Sequence, residues 1–175
     1  MKVAVVYASK HGFTKGIAEY IKDKIQQQGV QAELEEAAKL QNPGDYDAFV
    51  IGSAVYMGSW MKEARRFIKQ NSTTLASRPV WLFSSGPIGP DEKDKKGRDP
   101  REVAVSQEEI AQLKNLIGPR DHRVFFGGLD SSKIGIGGWF IRRIPAAQKA
   151  LVEGDFRNWN EIGDWAESIA KELKA

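Results

Sequence analysis

Apolar positions along this chain follow two periods that take turns. From Lys2 to Ala8 the run is almost continuously apolar, with Val3, Val5, Val6 and Tyr7, the pattern of a strand buried on both faces. Ile17, Ile21 and Ile25 then recur at every fourth position among Lys, Glu, Asp and Gln, which predicts an amphipathic helix ended by Gly29. Val30 to Glu36 predicts a second, less buried strand, and Ala48 to Ser53 a central one through Phe49, Val50 and Ile51. Met61, Ala64 and Ile68 mark a helix, and Val80 to Ser84 a fourth strand. Ser106 with Glu109 reads as a capping box, opening a helix that shows Ile110, Leu113 and Ile117 on one side and stops at Gly118-Pro119. A fifth strand is expected from Arg123 to Gly127. A last helix, Asn160 to Leu173, carries Ile162, Trp165, Ala166, Ile169 and Leu173 on one stripe.

Strand and helix alternating with short connections predict an α/β fold, a parallel sheet with helices on both faces. Two segments break the rhythm. Gly86 to Val105 is punctuated by Pro and Gly and too polar to pack as core, and Ser131 to Ala150 is an insert between the fifth strand and the last helix. The 175 residues suit one domain spanning 1–175, long enough to bury roughly two-thirds of the unfolded surface. The chain has no cysteine and two histidines, which removes disulfides and thiolate sites and leaves no basis for a metal centre. A formal charge of +3 without a basic stripe interleaved with aromatics argues against nucleic acid. With no leader-like segment and no apolar run of roughly 18 residues, a cytoplasmic location is expected.

In open α/β sheets, small molecules bind at the carboxyl ends of the strands, near the point where strand order reverses. The first such loop is Ser9-Lys10-His11-Gly12-Phe13-Thr14, which leads straight into a helix. Unpaired N–H groups at a helix start, hydroxyls at Ser9 and Thr14, and close backbone approach at Gly12 together suit a phosphate. Lys10 and His11 bring positive charge nearby. The competing reading makes Ser9 a helix cap and Gly12 an ordinary turn residue. A dinucleotide fingerprint would need more glycines here, and a P-loop its Gly-Lys-Ser/Thr ending; neither is present. A phosphate-accepting receiver would need acidic residues where Tyr7-Ala8-Ser9 and Gly52-Ser53 stand.

The hydroxyl-flanked turn resembles the phosphate loop of flavodoxins, with His11 in place of its middle threonine. The resemblance extends over "VIGSAVYMGSWMKEARRFI", "FSSGP", "FFGGLD" and "GDFRNW", and is to the flavodoxin-domain family that includes menaquinone-dependent protoporphyrinogen dehydrogenases. It implies a doubly wound, five-stranded sheet in the order 2-1-3-4-5, a three-layer αβα arrangement, and FMN as cofactor. Loops after the third and fourth strands would then flank the isoalloxazine: Ala54, Val55, Tyr56, Met57 and Gly58 on one side, Ser84, Ser85, Gly86, Pro87 and Ile88 on the other. Tyr56 is the candidate for ring stacking and Met57 for packing at the ring edge. Gly58 would let a peptide near the reactive nitrogen reorient when the flavin gains a proton. The competing reading packs Tyr56 and Trp60 against neighbouring helices.

The implied activity is an FMN-dependent oxidoreduction between a small-molecule electron donor and a quinone, with chemistry in the flavin and no catalytic side chain assigned. A non-catalytic electron carrier is the alternative, although such flavodoxins are typically acidic and this chain is not. In the insert, Lys133, Arg142, Arg143 and Lys149 mix with Trp139, Phe140 and several Ile, making residues 133–149 a candidate for peripheral contact with an anionic membrane or a docking partner. The duller account has these apolar residues covering the sheet edge. The mixed charges of the loop around "GRDPREV" fit either a lid that meets substrate carboxylates or a solvated surface.

Overall fold

The computed structural model describes residues 1–86, 93, 96–130 and 154–175. In chain order its elements are β1 (Lys2–Ala8), α1 (Phe13–Gln27), β2 (Gln31–Glu36), a 3-10 turn (Pro43–Asp45), β3 (Ala48–Tyr56), β4 (Ser59–Trp60), α2 (Lys62–Gln70), α3 (Ser72–Ala76), β5 (Val80–Ser85), α4 (Pro100–Val103), α5 (Gln107–Ile117), β6 (Asp121–Phe125), β7 (Gly128–Leu129), β8 (Gly154–Asp155) and α6 (Trp159–Lys174). Parallel pairing runs β2-β1-β3-β5-β6, and β4 folds back antiparallel on β3. With that return strand set aside, the order is the 2-1-3-4-5 implied by the resemblance. The fold is α/β, with helices on both faces of the sheet.

Strand periodicity explains the layers, because successive side chains leave a strand on opposite faces. Val5 sits level with Val50, and Val50 with Trp81; all three join the cluster under α1 and α6, with Ile17, Ile21, Ile25, Ile162 and Ile169. One position on, Val6 sits level with Ile51, and Ile51 with Leu82. These belong to the opposite cluster, beneath α2, α3 and α5, with Phe67, Ile68, Leu75, Ile110 and Leu113. Each fully buried Ile or Leu contributes about 1.5–3 kcal/mol, so the stripes read from sequence are the main source of layer docking.

Helix ends follow local chemistry. Gly29, at φ 79°, donates to the Gln26 carbonyl while Val30 donates to that of Ile25, the Schellman pattern that ends α1. Ser106 caps α5 by accepting from Glu109 N–H at 3.4 Å, and Asn158 caps α6 by accepting from Glu161 N–H at 3.2 Å. Several boundaries depart from the sequence expectation. β3 continues past Ser53 to Tyr56 because β4 pairs with its end. The fifth parallel strand starts at Asp121, level with Trp81, and ends at Phe125, before the glycine pair. Short helices α3 and α4 occupy stretches that carry too few apolar residues to announce them. Among the described residues, no helix is long and apolar enough to cross a membrane.

Candidate functional site

The connection from β1 goes to β2 on one side of the sheet, while β3, β5 and β6 continue on the other, so the carboxyl ends of β1 and β3 flank the switch point. The loop after β1 arrives there with Gly12 in the left-handed region at φ 89°, a conformation that costs a residue with a Cβ about 1–2 kcal/mol. The Ser9 hydroxyl accepts from Gly12 N–H at 3.1 Å, which leaves its own hydrogen available to donate outward. In α1, Gly16 N–H closes on the Gly12 carbonyl at 2.9 Å, and the N–H groups of the turn before it face the open end of the helix. That end carries no side-chain cap and no acidic residue in its first turn, unlike α4, α5 and α6 with their caps at Asp99, Ser106 and Asn158. Thr14 is buried to 2% exposure in the same turn. This donor set suits a phosphate dianion, which is the fit an FMN tail requires.

The second loop is a tight hairpin. Val55 pairs with Trp60 and Tyr56 with Ser59, leaving Met57 and Gly58 as a two-residue turn at φ 51° and 80°. Positive φ at both positions is the type I′ turn that suits strand twist. Met57, which lacks the small polar side chain usual there, is fully solvent-exposed, and Tyr56 is half-exposed beside it. The His11 and Tyr56 rings meet edge to face at 6.5 Å, bringing the first two loops together. The third loop closes from the other side: a Cβ on Gly86 would lie 3.8 Å from the Val55 carbonyl, and Gly86 N–H donates to the Phe125 carbonyl at 3.0 Å. Ala54 and Ser85 are buried just behind this edge. Lys10 is exposed, and Phe13 turns its ring toward Gly128. Pro87 and Ile88 lie outside the described residues, as does the insert segment 133–149.

Beneath the hairpin lies a polar support that the linear pattern did not disclose. Ser84 is wholly buried, and its hydroxyl accepts from the Trp60 indole N–H at 2.8 Å while meeting His122 Nε2 at 2.9 Å. The indole only donates, so Ser84 accepts there; toward Nε2 the hydroxyl donates or accepts according to the imidazole tautomer. Burial lowers the His122 pKa to about 4, the Lys114 charge adds to this, and Asp121 opposes it. Ser84 thus braces the hairpin from inside, whereas its neighbours Ser85 and Gly86 reach the loop edge. Two more anchors hold the same unit: Met61 N–H donates to Ser53 Oγ at 2.9 Å, and Trp60 N–H to Glu109 Oε1 at 2.8 Å. Glu109 therefore does not return to Ser106 as a capping box would. The Ser106 N–H instead donates to the Gly58 carbonyl at 2.7 Å, fixing the turn.

At the far end of the loop after β5, Arg101 forms a fork with Asp99, reaches Glu161 at 3.0 Å and lies 5.3 Å from the Phe126 ring centre. The "GRDPREV" stretch is therefore tied to the start of α6 through its last residues. No spacing rule signals such a pairing across 60 positions.

Comparison with known proteins agrees with this architecture. The family model described as Flavodoxin domain matches residues 4–144. A curated relative, protoporphyrinogen IX dehydrogenase [quinone] of Escherichia coli (strain K12), is 28% identical over 86 residues, a span covering 48% of each chain, so the match takes in about half the length of that relative. Among solved structures, a flavodoxin from the domain Archaea superposes with a TM-score of 0.62 at 18% identity, and oxidised Flavodoxin 2 from Bacillus cereus with 0.59 at 18%, each covering 100% of both chains. The chain belongs to the flavodoxin-domain family, and membership implies FMN as its cofactor.

Proposed function

We propose that this protein is an FMN-dependent oxidoreductase that moves electrons between a small-molecule donor and a quinone, in the manner of the quinone-linked protoporphyrinogen IX dehydrogenases. The observation that carries the reading is the meeting of an uncapped, acid-free helix start with an exposed Tyr-Met hairpin tip across the switch point. Likeness to the curated dehydrogenase supports the choice of substrate class. Bound FMN supplies the redox chemistry, and the protein supplies binding, orientation and polarity. Ser9, Gly12 and Thr14 hold the phosphate with the backbone donors of their turn, and Lys10, His11 and Phe13 complete that loop. Ala54, Val55, Tyr56, Met57 and Gly58 bound one side of the ring; Ser85, Gly86, Pro87 and Ile88 bound the other, with Ser84 as their buried support. No side chain is assigned an acid or base role.

A near-neutral to basic surface, at a formal +3, suits a small or apolar electron partner better than a basic protein. Residues 133–149 are the proposed point of peripheral membrane contact. Co-sedimentation with anionic liposomes, compared with an R142E/R143E variant, tests that part, and equal absence of binding by both refutes it. The central test is anaerobic reduction of the FMN-loaded protein followed by rapid mixing with menaquinone. Fast reoxidation is expected. Persistence of reduced flavin would instead make this a non-catalytic, flavodoxin-type electron carrier.

A further inference from the structure

The "GDFRNW" stretch contains an arginine that none of the roles above uses. Arg157 lies on the approach to α6, its side chain only 13% exposed. Its Nε and Nη2 donate to the two Asp155 oxygens at 2.7 and 2.6 Å, forming a fork with the end of β8. The remaining arm crosses to α1, where Nη1 donates to the Phe13 carbonyl at 3.1 Å. The guanidinium lies over two aromatic rings, 5.0 Å from the Phe13 centre and 4.4 Å from that of Trp159. Room for it comes from Gly16: a Cβ there would stand 2.6 Å from Nη1. On its other side the Phe13 ring presses on Gly128, where a Cβ would come within 2.2 Å of it, and Phe156 N–H donates to the Gly127 carbonyl at 3.1 Å.

We infer that Arg157 is a positioning residue for the phosphate end of the nucleotide site, clamping the first turn of α1 to the ribbon β7–β8 so that its backbone donors stay aimed. Both the carbonyl and the ring of Phe13 are held by one guanidinium. Phe13 shares its turn with Gly12 and Thr14, so any tilt of that residue swings the donors at the helix start. The role is geometric and not a matter of field. Asp155 cancels the arginine charge at hydrogen-bond distance, and the hydrogen bonds from Arg157 hold its carboxyl below the usual range. A neutral pair contributes little attraction to an anion beyond a few ångströms, whereas a planar fork fixed at three points removes rotational freedom from whatever it touches. Lysine in its place would keep the charge and lose the clamp.

The inference rests on the flavin reading, and its test separates the two. FMN and riboflavin, which lacks the phosphate, are titrated against wild type, R157K and G16A by quenching of flavin fluorescence. Gly16→Ala raises helix propensity by about 0.8–1 kcal/mol while displacing only the tip of a flexible side chain, so it disturbs the clamp in a chain that folds. The expected result is an FMN dissociation constant about tenfold higher in both variants, the effect of one lost charge-assisted hydrogen bond, with riboflavin affinity unmoved. R157K leaves the charge in place, so its loss of FMN affinity excludes a purely electrostatic role. Unchanged FMN affinity in both folded variants, or equal losses for the two ligands, overturns the inference and leaves the flavin reading standing. Failure of the wild-type chain to take up either flavin overturns both.

Discussion

Replacing His122 with glutamine removes a half-buried base that the fold keeps neutral, and the consequence can be worked out with its sign. The imidazole sits in β6 with Nε2 on Ser84; the charged groups acting on it are Lys114 of α5 and Asp121 beside it, and with burial they bring its pKa from 6.5 to about 4. Between those two values the unfolded chain binds a proton at this residue and the native protein does not. Stability from His122 is therefore complete above pH 6.5 and is lost as pH falls toward 4. At 1.36 kcal/mol per unit the gap is worth roughly 3 kcal/mol, a large part of the 5–15 kcal/mol typical of a folded domain.

Asp121 does not blur this window. Burial pushes its carboxyl up, but hydrogen bonds from Arg123, Trp165 and the His122 N–H outweigh that, so it titrates below its ordinary 3.8. Urea unfolding of wild type and H122Q, both in the same flavin state and followed by tryptophan fluorescence across about pH 4.5–7.5, supplies the comparison. Wild type should lose roughly 2–3 kcal/mol more than H122Q from the top to the bottom of that range, whatever the constant offset between them. Parallel stability curves would refute the claim that the fold keeps His122 neutral in this range.

Other outcomes follow from particular contacts. The S9A/T14A double variant should weaken FMN on the order of a hundredfold, as two hydrogen bonds to a charged phosphate are lost, with riboflavin little affected; equal FMN affinity in a titration would remove the phosphate loop from the site. Met57→Asn places a residue tolerant of left-handed backbone before Gly58 and should add about 1 kcal/mol, seen as a Tm higher by about 2–4 °C. An unchanged or lower Tm would mean that the turn carries no such strain. Glu109→Ala removes the acceptor of the Trp60 N–H, so stability should fall by about 1–3 kcal/mol and exchange of the Trp60 amide should accelerate; an unaltered amide would show that the bond does not hold β4.

The loop proposed to hold the phosphate was legible in the linear pattern because its residues are local. Ser9, Gly12 and Thr14 stand within one turn of each other, where a strand runs into a helix, and the chain brings them together without help from distant residues. The hairpin was harder to read. A two-residue turn announces itself through Asn-Gly or Asp-Gly, and Met57-Gly58 hides it, so β3 was expected to stop at Ser53 when it runs on to Tyr56. Ser84 looked like a loop hydroxyl turned to a ligand. Its true partners, Trp60 and His122, lie 24 and 38 positions away.

The periodicities of 2 and 3.6 by themselves indicated the main buried stripes, the five parallel strands and the longer helices; which helices cover which face was decided by the strand order. Periodicity reaches that far because burial of one stripe is a property of a single segment and its solvent. Partnership among polar groups was decided only by the tertiary structure. Glu109 takes Trp60 N–H and not Ser106, and Arg157 reaches Phe13 across 144 positions, because strand order sets which chain ends become neighbours, and a buried donor then bonds to whatever acceptor that order brings within 3 Å or so.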